Sequence, residues 1–340
     1  MLNKKILKSN LGSQNQTPLD RALKKITAAE KVLANLKQQH PDHKILVLGG
    51  SGFVGGKLME AGISAGMNIT GTFRKGEFPQ GKYLDVINDN NGDLSINEHA
   101  ITDLIREEKP FAIINAIALA DPYKNYKNPA LARCLNIELV KSLVKIIDNS
   151  SAKPKLIHIS TDAVYDTGAC GEDPLSEEAI PNPRQENFYA YTKAKGEEVL
   201  LNSSIQCIIP RPPQMIGVGP SSSPHNDIKK KLESGNYTID NTKRRFGAVE
   251  EVAYSLLCIA LSETAYEQPI INLIGPEEYG LVDLAKYVAE LFNCGSPESI
   301  TPGSEGDMPR INIVQTDFEF ALKLTPEEAI ALTQFRESNG

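Results

Sequence analysis

KILVLGGSGFVGG, running from Lys44 to Gly56, joins an unbroken apolar run to a glycine series and then to a helical pattern. Ile45 to Leu48 carry no polar interruption, as in a strand buried on both faces of a parallel sheet. Gly49, Gly52 and Gly55 follow at three-residue intervals, and helical apolar spacing begins at Phe53. A tight strand-to-helix turn needs a residue without Cβ, and so does a backbone that approaches a pyrophosphate closely. The helix N-terminus adds free N–H groups and a partial positive charge. Together these predict a dinucleotide held by Gly49, Gly52, Phe53, Val54 and Gly55 on a Rossmann-type doubly wound parallel α/β sheet. Glycine turns also occur in ordinary loops, but the preceding strand and following helix favour the binding role.

The 340 residues accommodate a nucleotide-binding domain and a smaller second lobe. Apolar content of 41%, charged content of 23% and a net charge of -7 describe a globular chain with no electrostatic footprint for nucleic acid or an anionic membrane. No apolar run approaches membrane-spanning length, and the opening MLNKKILKSNLG lacks the continuous apolar core of a secretory signal. The five cysteines, Cys134, Cys170, Cys207, Cys258 and Cys294, are scattered without a Cys-x-x-Cys pair. That usage predicts free thiols, a cytoplasmic setting and no metal site.

Residues 1–15 are polar. Thr17, Pro18 and Asp20 then mark a helix start, and Leu19, Leu23, Ile26, Leu33 and Leu36 give the helix one apolar stripe. The stripe suits either a dimerisation or partner surface or packing against the chain's own domain. His40, Pro41 and Asp42 end this helix. After the glycine turn a helix is predicted to Gly66 and a strand over Asn68–Phe73. A third strand is expected over Gly81–Val86, with Asp85 and Val86 placed to face an adenine. A helix over Ile96–Glu108, a strand over Pro110–Asn115, a long helix over Pro129–Asp148 and a strand over Lys155–Ser160 follow. Ala116 and Ala118, just beyond Asn115, are small enough for a cofactor to lie close. His158, among apolar neighbours, reads as a packed and hydrogen-bonded residue.

The end of the second strand bears on which dinucleotide is used. About 20 positions beyond the glycines, where NAD-binding units place an acid for the ribose hydroxyls, stand Thr72, Phe73, Arg74 and Lys75. Arg74 is a natural partner for a 2′-phosphate, which favours NADP(H) and leaves NAD(H) possible. The other reading of Arg74 and Lys75 is a solvated turn.

Ser160, Thr161 and Asp162 close the fifth strand, and YAYTKAKGE spans Tyr189–Glu197. A hydroxyl at a strand's carboxyl end and a Tyr-x-x-x-Lys pair on one helix face can converge on one reacting oxygen. With Gly49, Gly52 and Gly55, the ISTDAVYD segment at Ile159–Asp166, and Tyr189 and Lys193 followed by Gly196 and Glu197, the chain resembles the extended short-chain dehydrogenases/reductases, particularly the dTDP-4-dehydrorhamnose reductase group. Tyr191 and Lys195 have the same spacing, but the family places Gly-Glu three residues after its lysine, which selects Tyr189 and Lys193.

The resemblance implies that Thr161 binds the substrate oxygen, that Tyr189 exchanges its proton, and that Lys193 holds the nicotinamide ribose and lowers the tyrosine pKa. It implies a nucleotide-linked sugar as substrate, with Asp162, Arg211 and Arg245 as substrate contacts, and a homodimer; Lys243, Arg244 and Arg245, within Tyr237–Phe246, form a basic cluster that suits either an anionic sugar-nucleotide diphosphate or a solvated hairpin. Ile205–Arg211 is predicted as a strand, Pro220–Ser234 as loop and helix, Val249–Leu261 and Leu281–Phe292 as helices, Ile270–Leu273 as a strand and Pro297–Arg310 as a loop, with Pro326 opening the last helix. The expected organisation is an N-terminal extension over 1–43, an NAD(P)-binding domain over 44–211, and a mainly substrate-binding lobe over 212–340 from which 247–274 returns to the Rossmann core. The segment IALADPYKNYKNP departs from the reductase pattern. Ala163 stands where related dehydratases carry a glutamate, which argues against elimination chemistry. Two other functions are implied by the same resemblance: a non-catalytic NADP-binding subunit, like the regulatory subunit of methionine adenosyltransferase, and an NAD-dependent nucleotide-sugar epimerase.

Overall fold

The computed structural model describes residues 16–165, 175–184, 186–219, 223–263, 268–304 and 320–339. Predicted features at residues 1–15, Asp166, Cys170, Pro220 and 305–310, and part of the segment between Asp162 and Asn187, lie outside these. The chain runs through α1 (Pro18–Gln39), β1 (Ile45–Leu48), α2 (Phe53–Ser64), β2 (Ile69–Phe73), β3 (Gly81–Tyr83), β4 (Ile87–Asn90), β5 (Asp93–Ile96), α3 (Glu98–Glu108) and β6 (Ala112–Asn115). It continues through α4 (Pro122–Lys127), α5 (Pro129–Arg133), a π-helical turn at Cys134–Glu138, α6 (Leu139–Asn149), β7 (Lys155–His158), α7 (Phe188–Leu201) and β8 (Cys207–Arg211). The last third comprises β9 (Gln214–Ile216), α8 (Pro224–Glu233), β10 (Thr238–Ile239), β11 (Lys243–Ala248), α9 (Val249–Leu261), β12 (Ile270–Asn272), β13 (Glu278–Gly280), α10 (Leu281–Phe292), β14 (Thr301–Pro302) and α11 (Pro326–Asn339).

Seven strands form one parallel sheet in the order β12-β8-β7-β6-β1-β2-β3. Every residue of β1, β6 and β7 is buried, because helices cover both faces, and this is why β1 reads as an unbroken apolar run and the middles of β6 and β7 are apolar. The chain leaves β1 toward β2 and β3, then crosses back to β6 on β1's other side. A crevice therefore opens at the carboxyl ends of β1 and β6, the place where such sheets bind ligands. One face is packed by α2 and α9, the other by α3, α6 and α7. From the last third, α9 and β12 come back to the sheet, while β9, β11 and β13 form a small sheet of their own with α8, α10 and α11 around it.

Thr17 and Asp20 cap α1 reciprocally, as the sequence predicts: the Asp20 amide donates to Thr17 Oγ1 at 3.2 Å and the Thr17 amide to Asp20 Oδ2 at 3.1 Å. The apolar face of α1 is spent inside the chain, which settles the two readings of the stripe. Leu33 packs into the sheet core and Ala22 and Ile26 into the lobe core, so the helix ties the two together. Arg21 and Lys25 pair with the buried Glu328 at 2.9 and 2.6 Å. Where α1 meets β1, His40 and His43 both lie beside Glu263, but their rings stack with planes 14° apart, His43 continuing onto Phe111. Stacked planes keep the in-plane lone pairs of the two imidazoles from meeting at one ion.

Two expected elements differ from the structure. The third strand stops at Tyr83, and the next residues lead into the β4–β5 hairpin, turned by Asn91 and Gly92 at φ 58° and 94°. An Asn-Gly pair accommodates two positive φ angles at little cost. The long helix after Pro129 is interrupted by the π turn, whose buried Asn136 bonds to Leu119, Asn125 and Thr192. That polar hub joins the end of β6 to α7.

Candidate active site

The glycine turn has the shape that a pyrophosphate requires. Gly49 has φ 84°, and its amide donates to Thr72 Oγ1 at 2.9 Å, fixing the turn to β2. A Cβ on Gly49 would stand 3.3 Å from the Ala116 backbone, and one on Gly55 would stand 2.0 Å from the Gly49 carbonyl oxygen. Any side chain at these positions fills the space a dinucleotide would use or forces α2 away from β1. Gly55→Ala is therefore expected to weaken dinucleotide binding by roughly tenfold or more, measured by calorimetric titration. Phe53 and Val54 are half-buried at the start of α2, and Gly219, beyond β9, lies against the Phe53 ring.

Arg74 is exposed just past β2, with no ion pair among the described residues. Asp85 is half-buried and accepts from the Ile87 amide at 3.1 Å. Val86 is buried in the core, and Ala116 and Ala118 are half-buried beyond β6. The turn thus lies against Ala116 beyond β6 and Thr72 of β2, with Arg74 just past that strand, and these residues fit a nicotinamide dinucleotide.

Thr161 follows β7 at the same sheet edge, and the Tyr189 hydroxyl lies close enough to its side chain to feel it electrostatically. Tyr189 begins α7, which Asn187 caps by accepting from the Ala190 amide at 3.2 Å. Lys193, one turn on, is 1% exposed, and its Nζ donates to the Ile159 carbonyl at 2.7 Å and lies 3.1 Å from His158 Nε2. Burial lowers its pKa to about 8, against the opposing charge of Glu197. Lys195, in the competing pair, is on the surface and bonds Glu198 at 2.6 Å. The structure therefore turns Tyr189 and Lys193 inward and Lys195 out.

The expected lowering of the tyrosine pKa by Lys193 is not what this structure has. Burial, aided by the nearby Asp162 carboxylate, pushes Tyr189 up to about 12, with the Thr161 side chain working the other way. Lys193 directs its nitrogen at Ile159 and His158 instead. Tyr189 is consequently a phenol across the neutral range, poised to give a proton rather than take one. Asp162 itself is raised to about 6 by burial, opposed by Arg244.

Arg211 requires correction as a substrate contact. It is 0% exposed and forks onto Glu197, Nε to Oε1 at 3.0 Å and Nη2 to Oε2 at 2.6 Å, while Nη1 donates to the Tyr165 hydroxyl. Ser160 donates to the same Glu197 carboxylate. The strand end carries this arginine into the core beneath the site, because Glu197 on α7 waits there to neutralise it. Arg245 donates to the Gly275 carbonyl at 2.9 Å. The neighbouring Arg244 is the one that faces Asp162 and lines a cavity of about 230 Å³ with Gln214, Asp227, Lys231, Thr242 and Leu281. The signal that could have found it is strand alternation: Lys243, Arg244 and Arg245 lie consecutively in β11, so Arg244 points opposite to its neighbours.

A family model described as "NAD dependent epimerase/dehydratase family" matches residues 45–275. The methionine adenosyltransferase 2 subunit beta of Xenopus laevis is 27% identical over 281 residues, 79% of each chain. Among solved structures, the Bordetella bronchiseptica enzyme WbmG in complex with NAD and UDP aligns over 88% of this chain and 96% of its own, with TM-score 0.72 and 18% identity. The dTDP-4-dehydrorhamnose reductase of Bacillus anthracis in complex with NADP aligns over 86% and 99%, with TM-score 0.68 and 17% identity.

Proposed function

The chain belongs to the NAD dependent epimerase/dehydratase family, the extended short-chain dehydrogenases/reductases that work with a nicotinamide dinucleotide, and from that membership we propose that it is an NADP(H)-dependent reductase of a keto group on a nucleotide-linked sugar. The observation that carries this reading is the pair of neighbouring hydroxyls, Thr161 and a protonated Tyr189, at the sheet edge that also carries the glycine turn.

The nicotinamide group, when bound, supplies the hydride. The chain's own residues supply position and the proton. The hydroxyls of Thr161 and Tyr189 bind one carbonyl oxygen, and Tyr189 passes its proton to that oxygen as negative charge grows there. Water or solvent exchange through the open crevice restores the phenol. Lys193, in its charged form, would hold the ribose. Ala163 offers no acid or base for elimination, which supports simple reduction over dehydration. The cavity beside Arg244 suits the nucleotide diphosphate of the substrate.

Arg74 supports NADP(H) over NAD(H). An arginine–phosphate bond to a charged acceptor contributes about 1.5–3 kcal/mol. Arg74→Ala is therefore expected to weaken NADPH binding by about tenfold to a hundredfold and to leave NADH binding nearly unchanged. Fluorescence titration of the two cofactors checks this, and equal loss for both would count against a 2′-phosphate contact. Co-purification with tightly held NAD would instead indicate an epimerase. The same reading includes a cytoplasmic homodimer. The thiols of Cys134, Cys207 and Cys294 are free, in keeping with a reducing compartment, and light scattering tests the dimer.

A second reading rests on the similarity to the methionine adenosyltransferase subunit, which spans more than three-quarters of the chain. In that reading the fold binds a partner enzyme. Tyr123 and Tyr126, 69% and 70% exposed on α4, are side chains that a partner could cover. Turnover with a keto sugar separates the two readings.

A further inference from the structure

Between the sheet and Lys193 lies a buried hydrogen-bonded chain whose protons can be counted. Asn115, 1% exposed at the end of β6, accepts from the Ile117 amide through Oδ1 at 3.1 Å. A backbone N–H only donates, so this bond fixes the orientation of the side-chain amide and points its NH₂ at His158. Asn115 Nδ2 lies 3.0 Å from His158 Nδ1. Nδ1 is consequently the acceptor, and the one proton of a neutral imidazole sits on Nε2. His158 is 0% exposed, and burial holds its pKa well below the ordinary value, so the ring stays neutral.

Nε2–H then faces Lys193 Nζ at 3.1 Å. An ammonium has three donors and no acceptor, so a charged Lys193 would oppose one donor to another. A neutral amine satisfies both contacts: its lone pair accepts from Nε2–H and one of its N–H groups donates to the Ile159 carbonyl. Turning the Asn115 amide over moves the conflict to the Ile117 N–H without removing it.

We propose that His158, oriented by Asn115, is a positioning residue that favours the neutral amine of Lys193 while the crevice is free, so that binding of the dinucleotide draws a proton from solvent onto whatever fraction of Lys193 is then uncharged. This inference rests on the reductase reading for its ligand, but the His158–Lys193 contact stands apart from it. The proton balance is simple: amine plus H⁺ from solvent gives ammonium, which leaves the imidazole N–H for the ribose oxygens. No other group in the chain changes charge. Around Lys193 the charged and titratable groups are Glu197 and Tyr189 on the same helix, His158 from β7, and beyond Tyr189 the Asp162–Arg244 pair. Glu197 favours the ammonium and is itself held by Arg211.

Two measurements test it. In the cofactor-free protein, ¹⁵N spectra of the histidine rings should give a His158 signal with Nε2 protonated and Nδ1 bare, unchanged from about pH 6 to 9, assigned by its loss in His158→Phe. An Nδ1–H tautomer, or a ring that titrates in that range, overturns the proposal. Calorimetric titration with NADPH at about pH 8.5, in two buffers of different ionisation heat, should show proton uptake in the wild type and none in Lys193→Met. Affinity in the wild type should fall as pH rises through about 8, the value burial gives Lys193, and His158→Phe should shift that fall upward by about one pH unit. Binding without proton uptake overturns the proposal and leaves the reductase reading intact. Failure to bind either dinucleotide overturns the reductase reading, and the ring tautomer still decides the His158–Lys193 contact.

Discussion

Replacing Tyr189 with Phe is expected to lower kcat for keto reduction by about 10²–10⁴-fold, with little change in KM for the sugar nucleotide. The phenyl ring keeps the volume that Tyr189 fills at the start of α7, so helix, crevice and cofactor turn stay in place. What is lost is the single O–H beside Thr161 that, in the proposed reduction, donates to the substrate oxygen. A proton donor acts in the transition state, where the oxygen gains charge, and its removal belongs in kcat. The size corresponds to about 3–5 kcal/mol of barrier. Stopped-flow oxidation of NADPH in single turnover isolates the hydride step and checks the assignment. An unchanged rate would move the proton donation to another group, and Asp162, raised to about 6, would be the first to test.

The second large effect is on stability. Arg211→Ala is expected to destabilise the fold by about 3–5 kcal/mol, because it leaves the Glu197 carboxylate buried without its counterion. Both partners are essentially inaccessible, at 0% and 1% side-chain exposure, so solvent screens little of the loss. The same carboxylate receives Ser160, and the arginine also serves Tyr165, whose hydroxyl donates to Asn272 at 2.9 Å. Four elements are joined there beneath Thr161. The double change Arg211→Met with Glu197→Leu removes both charges and is expected to cost less than either single truncation. Urea unfolding of the three proteins checks this. If the double change costs the sum of the singles, the effect is packing alone and not an uncompensated charge.

Much of the sheet was legible because its strands are buried on both faces and so read as apolar runs, and α9 read correctly end to end because nearly all of it is buried. The glycine turn was legible because glycine is required at positive φ and at close backbone approach. The β4–β5 hairpin went unread although Asn91-Gly92 announces it, because its flanking residues are too exposed to alternate in hydrophobicity. The π turn left no mark, since Cys134–Glu138 keeps an ordinary helical composition and the irregularity serves a polar contact across the fold. At the site, Thr161 and Tyr189 were singled out by motif, and the fold brings them to the same sheet edge. Arg211 was misplaced because a basic residue at a strand end gives no sign of the buried acid that meets it fourteen positions earlier in sequence, at Glu197. His158 was read correctly as packed and hydrogen-bonded, but its partner Lys193 is distant in sequence and became visible only in three dimensions.

The most direct test of the reductase reading is to offer the purified 340-residue chain a nucleotide-linked 4-keto-6-deoxy sugar with NADPH and follow cofactor oxidation together with the alcohol product. The account predicts one alcohol formed per NADPH consumed, and faster consumption with NADPH than with NADH. NADPH bound but not consumed, with no alcohol formed, would contradict it.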